Sequence, residues 1–426
     1  MLEYCSPAFP MAGDGMQQTD YQVYSYRWVM LLGFMAIVAV NQLFWITFAP
    51  ITSAAASYFQ VSELEIGLLS LVFLVVYVVV SIPASWVIDT YGLRAAVGIG
   101  AALTGLFGLA RGLAAPDYSL VLISQLGIAI GQPFLLNATT TVAARWFPLT
   151  ERATATGLGS LAIYLGILTG LALTPYLLLQ FDLGRLLFLY GVIGAVAAVI
   201  LFAVARDRPP TPPGPAGQDE RSLVLDGLRQ MLRRGQFVLL LVIFFVGLGV
   251  FNAVTTWIEE ILRPRGFSIT QAGDAGGLMI LGGILGALVV PTLSDRVLKR
   301  TPFLVLALAG ATLGLAGVAF VTNYWLLLAS AFLMGFCLLS AGPIGFQYGA
   351  ELTWPAPEGT SNGLLLLMGQ ISGILFIFGM DGFKSDDTGS MSGPLIVLIA
   401  LMLASVLLST RLKEARMPAT KIAGDA

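Results

Sequence analysis

Ser81-Ile-Pro-Ala-Ser85-Trp86-Val-Ile-Asp89-Thr-Tyr-Gly92-Leu93-Arg94 closes one long apolar run and opens the next. The first run ends at Asp89, and Gly92 with Arg94 marks a tight turn before the chain becomes apolar again. Pro291-Thr-Leu-Ser-Asp295-Arg296-Val-Leu-Lys299-Arg300 does the same job later, its aspartate lying 206 residues on (295 minus 89). A second pair keeps nearly that spacing. Trp146-Phe-Pro148 with Glu151 is echoed by Trp354-Pro355 with Glu358, the proline and glutamate offsets both being 207. A period of half the chain means two related halves, whereas a solenoid repeats every ~20–50 residues. Acidic and basic residues joining two apolar runs at matched points in two halves point to a membrane carrier built as two bundles.

Composition agrees. The 426 residues are 57% hydrophobic and 11% charged, with a mean hydropathy of +0.86. A soluble protein carries about 25% charged residues, so most of this chain must face lipid or other helices. A net charge of −2 argues against nucleic acid. There is no histidine, which removes the commonest metal ligand and the side chain most easily titrated near neutral pH. Cys5 and Cys337 imply no disulfide framework. No basic stretch precedes an apolar core at the N-terminus, so no cleaved signal peptide is expected.

After a polar tail (1–26), the expected spans are Trp28–Phe59, Glu63–Asp89, Leu93–Ala114, Tyr118–Trp146, Arg152–Leu179 and Arg185–Ala205. The second set is Gln236–Leu262, Ile269–Asp295, Thr301–Val321, Tyr324–Glu351, Gly359–Gly382 and Met391–Leu412. Each reaches or exceeds the roughly 20 residues that cross a bilayer core. The expected fold is therefore an all-α membrane protein of twelve helices in two pseudo-symmetric six-helix bundles, 27–205 and 236–412, with a C-terminal tail at 413–426. Between the bundles, a linker at 206–235 begins as a Pro-rich spacer. It continues as a short amphipathic helix with Val224, Leu228, Met231 and Leu232 on one face, or equally as a solvated connector. With both termini in the cytoplasm, 17 basic residues lie inside. Five lie outside: Arg111, Arg185, Arg263, Arg265 and Lys384. That bias follows the positive-inside rule and gives a multi-pass plasma-membrane protein.

The loop Asp89-Thr-Tyr-Gly92-Leu93-Arg94 resembles the signature loop of the major facilitator superfamily, Gly-x-x-x-Asp-x-x-Gly-Arg-Arg/Lys. Here Ser85 replaces the first glycine and Leu93 separates Gly92 from Arg94. Asp89 can accept from the N-termini of neighbouring helices and Arg94 can pair with a facing acid. Asp89, Gly92, Arg94, Asp295, Arg296, Arg145, Glu351 and Glu358 are the expected cytoplasmic gate.

Further along, the chain resembles the feline leukaemia virus subgroup C receptor-related family. The residues that carry this are Met334-Gly-Phe, Pro343-Ile-Gly-Phe, Glu351-Leu-Thr-Trp-Pro355 and Glu358-Gly-Thr-Ser-Asn-Gly363-Leu-Leu. Gly131-Gln132-Pro-Phe-Leu-Leu and Ala144-Arg145-Trp146-Phe147 add to them. The resemblance implies transport of haem, choline or ethanolamine and an aromatic cage with glutamines. The cage tryptophan falls on Trp45, one turn after Asn41, and the glutamines on Gln132 and Gln370. The tyrosine of the seventh span does not carry over, since Asn252 stands there. Tyr164, near mid-depth in the fifth span, is the expected replacement wall.

Depth supports the same residues. Trp45 is about 25 Å of helix from the near end of its span, counted at 1.5 Å per residue. Gln132, Asn252 and Gln370 lie near the middle of theirs. Polar groups at that depth are costly unless they face a cavity or a partner. An aromatic face attracts a quaternary ammonium by ~0.5–2 kcal/mol per contact, and a glutamine carbonyl adds partial negative charge. No Asp, Glu, Lys or Arg was placed at the centre of a span, so facilitated diffusion is expected over proton coupling. The reading is a monomeric carrier of a small organic solute, with a choline- or ethanolamine-like amine as first choice and no cofactor. An exporter of larger solutes and a non-transporting receptor are the alternatives. An enzyme finds no nucleophile–base pair, phosphate loop or metal cluster.

Overall fold

The structure is a computed structural model. It describes residues 22–211, 231–353, 358–385 and 387–414. The amphipathic linker helix and the Trp354-Pro355 echo lie outside those residues, apart from Met231 and Leu232.

Twelve helices are long and apolar enough to cross a membrane. Spans 1 to 6 are Tyr26–Phe59, Glu63–Tyr91, Leu93–Ala114, Tyr118–Trp146, Thr150–Gln180 and Leu183–Val204. Spans 7 to 12 are Gly235–Thr256, Ile269–Val297, Thr301–Phe320, Tyr324–Thr353, Ser361–Gly382 and Ser392–Ser409. An even number of crossings puts both termini at one end, called here the terminal end. The other is the opposite end.

The repeat is written into the backbone. Ser62 caps span 2 in a capping box with Glu65, and Ser268 caps span 8 with Gln271. Asp117 accepts from Leu120 N at the start of span 4, and Asn323 from Leu326 N at the start of span 10. Left-handed backbone recurs at Gln60 and Gly266, and positive φ at Gly92 and Leu298. Every one of these pairs is 206 residues apart (268 minus 62, 323 minus 117, 266 minus 60, 298 minus 92). Leu298 is left-handed (φ 54°, ψ 35°), which costs a non-glycine residue about 1 kcal/mol, whereas Gly92 (φ 90°, ψ 173°) is not, so the second copy turns at the matched position by a different backbone conformation.

Packing repeats as well. Span 1 lies on span 5, span 2 on span 4, and span 3 on spans 4 and 6. Span 7 lies on span 11, span 8 on span 10, and span 9 on spans 10 and 12. Spans 3, 6, 9 and 12 carry large exposed apolar side chains such as Leu106, Val199, Leu313 and Leu407 and form the lipid-facing perimeter. The halves meet where span 5 packs on span 8 and span 2 on span 11.

Two spans are less regular than their sequence implies. Span 1 breaks after Ile46 into a short 3-10 turn, Ala49–Ile51. Span 4 breaks at Asn137, four residues after Pro133. Span 10 has Pro343 where span 4 has Asn137 (343 minus 137 is 206), and its helix Tyr324–Thr353 runs on unbroken. The difference lies in the side chains. Asn137 Nδ2 donates to Ser81 O, Ser81 Oγ and Ser85 Oγ, and its Oδ1 accepts from Tyr77 Oη, so the break in span 4 is tied to span 2.

Candidate functional site

Trp45 comes from the last turn before the break in span 1. Its Nε1 donates to Ser70 O at 3.1 Å, and Ser70 Oγ returns a bond to Trp45 O at 3.2 Å. One turn further along span 2, Leu74 reaches span 11. A Cβ added at Gly373 would lie 2.4 Å from Leu74 Cδ2 and 2.8 Å from Asn252 Nδ2. Asn252 donates across to Gly369 O at 3.1 Å, next to Gln370. Spans 1, 2, 7 and 11 are thus chained together, and Trp45, Asn252 and Gln370 fall along that chain.

Gln132, Gln370 and Tyr164 differ from these in a useful way. Among the described residues none of their polar side-chain atoms has a protein partner, yet none is sealed from accessible space. Such groups do not owe their place to a packing bond. Tyr164 is positioned by Gly166. A Cβ there would lie 2.1 Å from Ala39 O, so only glycine lets span 5 approach span 1 this closely.

Asn41 corrects the sequence expectation. It is buried in the first bundle, donating to Thr104 Oγ1 at 3.0 Å and Ile128 O at 3.4 Å, so its amide ties spans 1, 3 and 4 together rather than lining the route. Arg111 is a second correction. It is expected on the outside, at the far end of the third span, but it is fully buried. It donates to Phe44 O and Gln125 Oε1 and lies 4.5 Å above the Phe44 ring. Phe44 O is among the last carbonyls of the helix in span 1, where a cation is favoured. That explains a buried arginine with no acid beside it.

The terminal end holds the expected gate residues, and each half pairs its own. Asp207 accepts from Arg94 N at the start of span 3 and binds Arg145 Nη1 at 2.8 Å. Glu414 accepts from Arg300 N and Thr301 N at the start of span 9. Those contacts hold the Glu414 carboxyl below its usual range despite partial burial. Asp207 and Glu414 are 207 residues apart, so they are repeat mates that sequence reading missed; the offset was the signal. Arg300 also binds Asp295 and, at 3.2 Å, Glu351. Asp89 was expected to receive helix N-termini, but Asp207 holds that position, and Asp89 is exposed. Asp89, Arg94 and Arg296 make no ion pair among the described residues. The Glu358 side chain lies outside them. Gly92 is required at its position: its φ is +90°, and a Cβ would meet Asp207 Oδ1 at 2.5 Å. A groove of about 710 Å³ beside Arg94 and Asp207 lies on the perimeter between spans 3 and 6, away from Trp45 and Gln370.

Among the described residues, the hydrogen bonds and ion pairs that join the two halves all lie at the opposite end. Ser53 N and Oγ donate to Glu259 at 2.9 and 2.7 Å. These two residues are 206 apart and so are repeat mates, which can touch only near the axis relating the halves. Glu63 of span 2 binds Arg263 and Lys384. Both cations also bind the fully buried Glu260, at 2.6 and 2.8 Å. Tyr176 of span 5 donates to Asp274 of span 8, which accepts from Tyr324 too. Burial and the neighbouring carboxyls push Glu260 up to about 8. Burial opposes the charge on Lys384, but Glu260 and Glu63 outweigh it and hold the ammonium above its usual range.

A two-fold repeat of six spans, a seam closed at one end and polar side chains without protein partners midway define a membrane transport fold. Residues 31–377 match the family model of the Major Facilitator Superfamily. The chain is 32% identical over 385 residues to solute carrier family 49 member A3 of Xenopus tropicalis, covering 86% of this chain and 80% of that one. It is 28% identical over 412 residues to the choline/ethanolamine transporter flvcr2a of Danio rerio, covering 91% and 86%. In three dimensions it is similar to a bacterial homolog of the human lysosomal transporter Spinster, with a TM-score of 0.68, 16% identity and coverage of 91% and 96%. The chain belongs to the major facilitator superfamily of transporters.

Proposed function

We propose that this transporter carries a small organic amine of the choline or ethanolamine type by facilitated alternating access. The observation that carries the reading is the pair of partnerless glutamines, Gln132 and Gln370, one from each half. Trp45 and Asn252 are held on the chain of contacts that leads to Gly369, next to Gln370. An aromatic face attracts a quaternary ammonium that cannot be met by hydrogen-bond acceptors alone. Amide oxygens tolerate it without fixing a counter-charge in the membrane. Tyr164 supplies the second wall. The relatives named choline/ethanolamine transporters support the substrate class.

In this reading the state described has its opposite end shut. When the terminal end shuts, Arg145, Asp295 and Glu351 exchange their within-half partners for partners across the halves, and Asp89, Arg94 and Arg296 gain partners there. The bundles, 27–205 and 236–412, move as the two rocking units. With Arg111 buried in the first bundle, the basic residues divide 17 to four, which supports cytoplasmic termini in a plasma membrane.

The test is uptake of labelled choline and ethanolamine into proteoliposomes, with and without an imposed pH gradient. Saturable uptake that a gradient does not drive uphill is the expected result. Absence of uptake of either amine would overturn the substrate class.

A further inference from the structure

We propose that Glu260 is a proton-binding site that latches the opposite end. A proton held by Glu260 beside Glu63 enters as the halves close there, and leaves to the same side as they part. The inference goes beyond the substrate reading and does not depend on which solute is carried.

The argument begins with geometry. Glu260 lies in the short helix Ile258–Leu262 after span 7 and is fully buried. The charged groups facing it come from every neighbouring element. Glu259 is on its own helix, Arg263 on the next turn, and Glu63 at the start of span 2. Lys384 follows span 11, with Asp381 one turn earlier. Arg265, on the same turn as Arg263, points away and donates to Val318 O and Val321 O.

Charge balance then decides the protonation. Glu63, Glu259 and Glu260 face two cations, Arg263 and Lys384. Ser53 satisfies Glu259 through two hydrogen bonds, which stabilises its charge. Glu63 and Glu260 share the same two donors, Arg263 Nη2 and Lys384 Nζ, which holds the two carboxyls side by side. Two carboxylates that near cannot both ionise cheaply. Glu260 Oε1 is buried without an ion-pair or donor partner, and it is the atom left to carry a proton. One proton there makes the set neutral, with Asp381 at the wetter rim.

The sign follows. When the halves part, Glu63 leaves with span 2 and Glu260 meets water, so its affinity for the proton falls toward that of an ordinary glutamic acid. The closed end is therefore favoured while Glu260 is protonated. That advantage is lost as pH rises through about 8. Because the proton returns to the side it came from, pH sets how often this end opens without driving solute uphill.

The experiment places spin labels at Ser57→Cys and Thr322→Cys, one in each half at the opposite end, in a chain carrying Cys5→Ser and Cys337→Ser. Distance distributions are recorded in lipid nanodiscs from about pH 6 to about pH 9. The ratio of long to short distances should rise by up to about 100-fold across that range. Glu260→Gln, a permanent stand-in for the protonated acid, should stay at the short distance throughout. Glu259→Gln should open the end more at every pH while keeping the pH response. A pH-independent wild-type distribution would overturn the proposal, as would an unchanged response in a monodisperse Glu260→Gln variant. Choline uptake is not needed for either outcome, so failure of the substrate reading and failure of the latch are told apart.

Discussion

Trp45 shows how packing prepares a residue for the recognition role proposed for it. Its indole N–H is spent on Ser70 O, which fixes the ring and leaves its face as the usable surface. Trp45→Phe should therefore keep part of the affinity, while Trp45→Ala should weaken amine binding by about 3- to 30-fold, the worth of one cation–π contact. Binding of labelled choline to purified variants checks this, and an unchanged Kd for Trp45→Ala would remove the ring from the site. Arg111 is the opposite case, a charge with a structural task. Its hydrogen bonds brace the broken end of span 1. Arg111→Ala should lower stability by about 1.5–3 kcal/mol, the value of hydrogen bonds to a charged group. The check is a thermal melt of the solubilised protein. Arg111→Lys should recover only part of it, because one ammonium can serve the two acceptors of Nη1 but loses the planar guanidinium that lies over the Phe44 ring.

At the scale of elements, close helix approach is the recurring device. Span 5 touches the backbone of span 1 at Gly166, whereas nothing lies within 4 Å of a Cβ at Gly157 in the same span. Gly166→Ala should cost about 1–3 kcal/mol by overpacking and shift Tyr164 away from span 1. Gly157→Ala should be neutral or slightly stabilising. Melting temperatures of the two variants, measured side by side, decide it. Element boundaries were largely legible in the sequence, because each apolar run ends at charged, glycine or proline residues. The break at Asn137 was not. Its cause is a set of hydrogen bonds to Ser81, Ser85 and Tyr77, more than fifty residues earlier, and periodicity carries no record of such bonds.

At the scale of the whole molecule, the two ends are built differently. The terminal end keeps its ion pairs within each half, and the opposite end places them across the seam. Asp295→Asn should thus not lengthen the distance between halves at the opposite end, while Tyr176→Phe, which removes a bond to Asp274, should lengthen it in a larger fraction of molecules. The spin-label pair at Ser57 and Thr322 reads both.

The sequence by itself determined the class of fold, the number of spans and the twofold repeat. Apolar run length is a local property, and duplicated turns survive as matched residues. The family resemblance pointed to Trp45, Gln132 and Gln370 as candidates, and their depth, which can be counted along the chain, agrees with it. Only the tertiary structure decided which polar residues are already spoken for. Asn41 Nδ2 and Arg111 Nη1 are engaged inside the first bundle, and Asp207 rather than Asp89 receives the helix N-terminus of span 3. The buried meeting of Glu63, Glu260, Arg263 and Lys384 was likewise invisible, because it joins residues up to 321 positions apart. Partnership at such separation depends on how two bundles dock, and no one-dimensional pattern contains that.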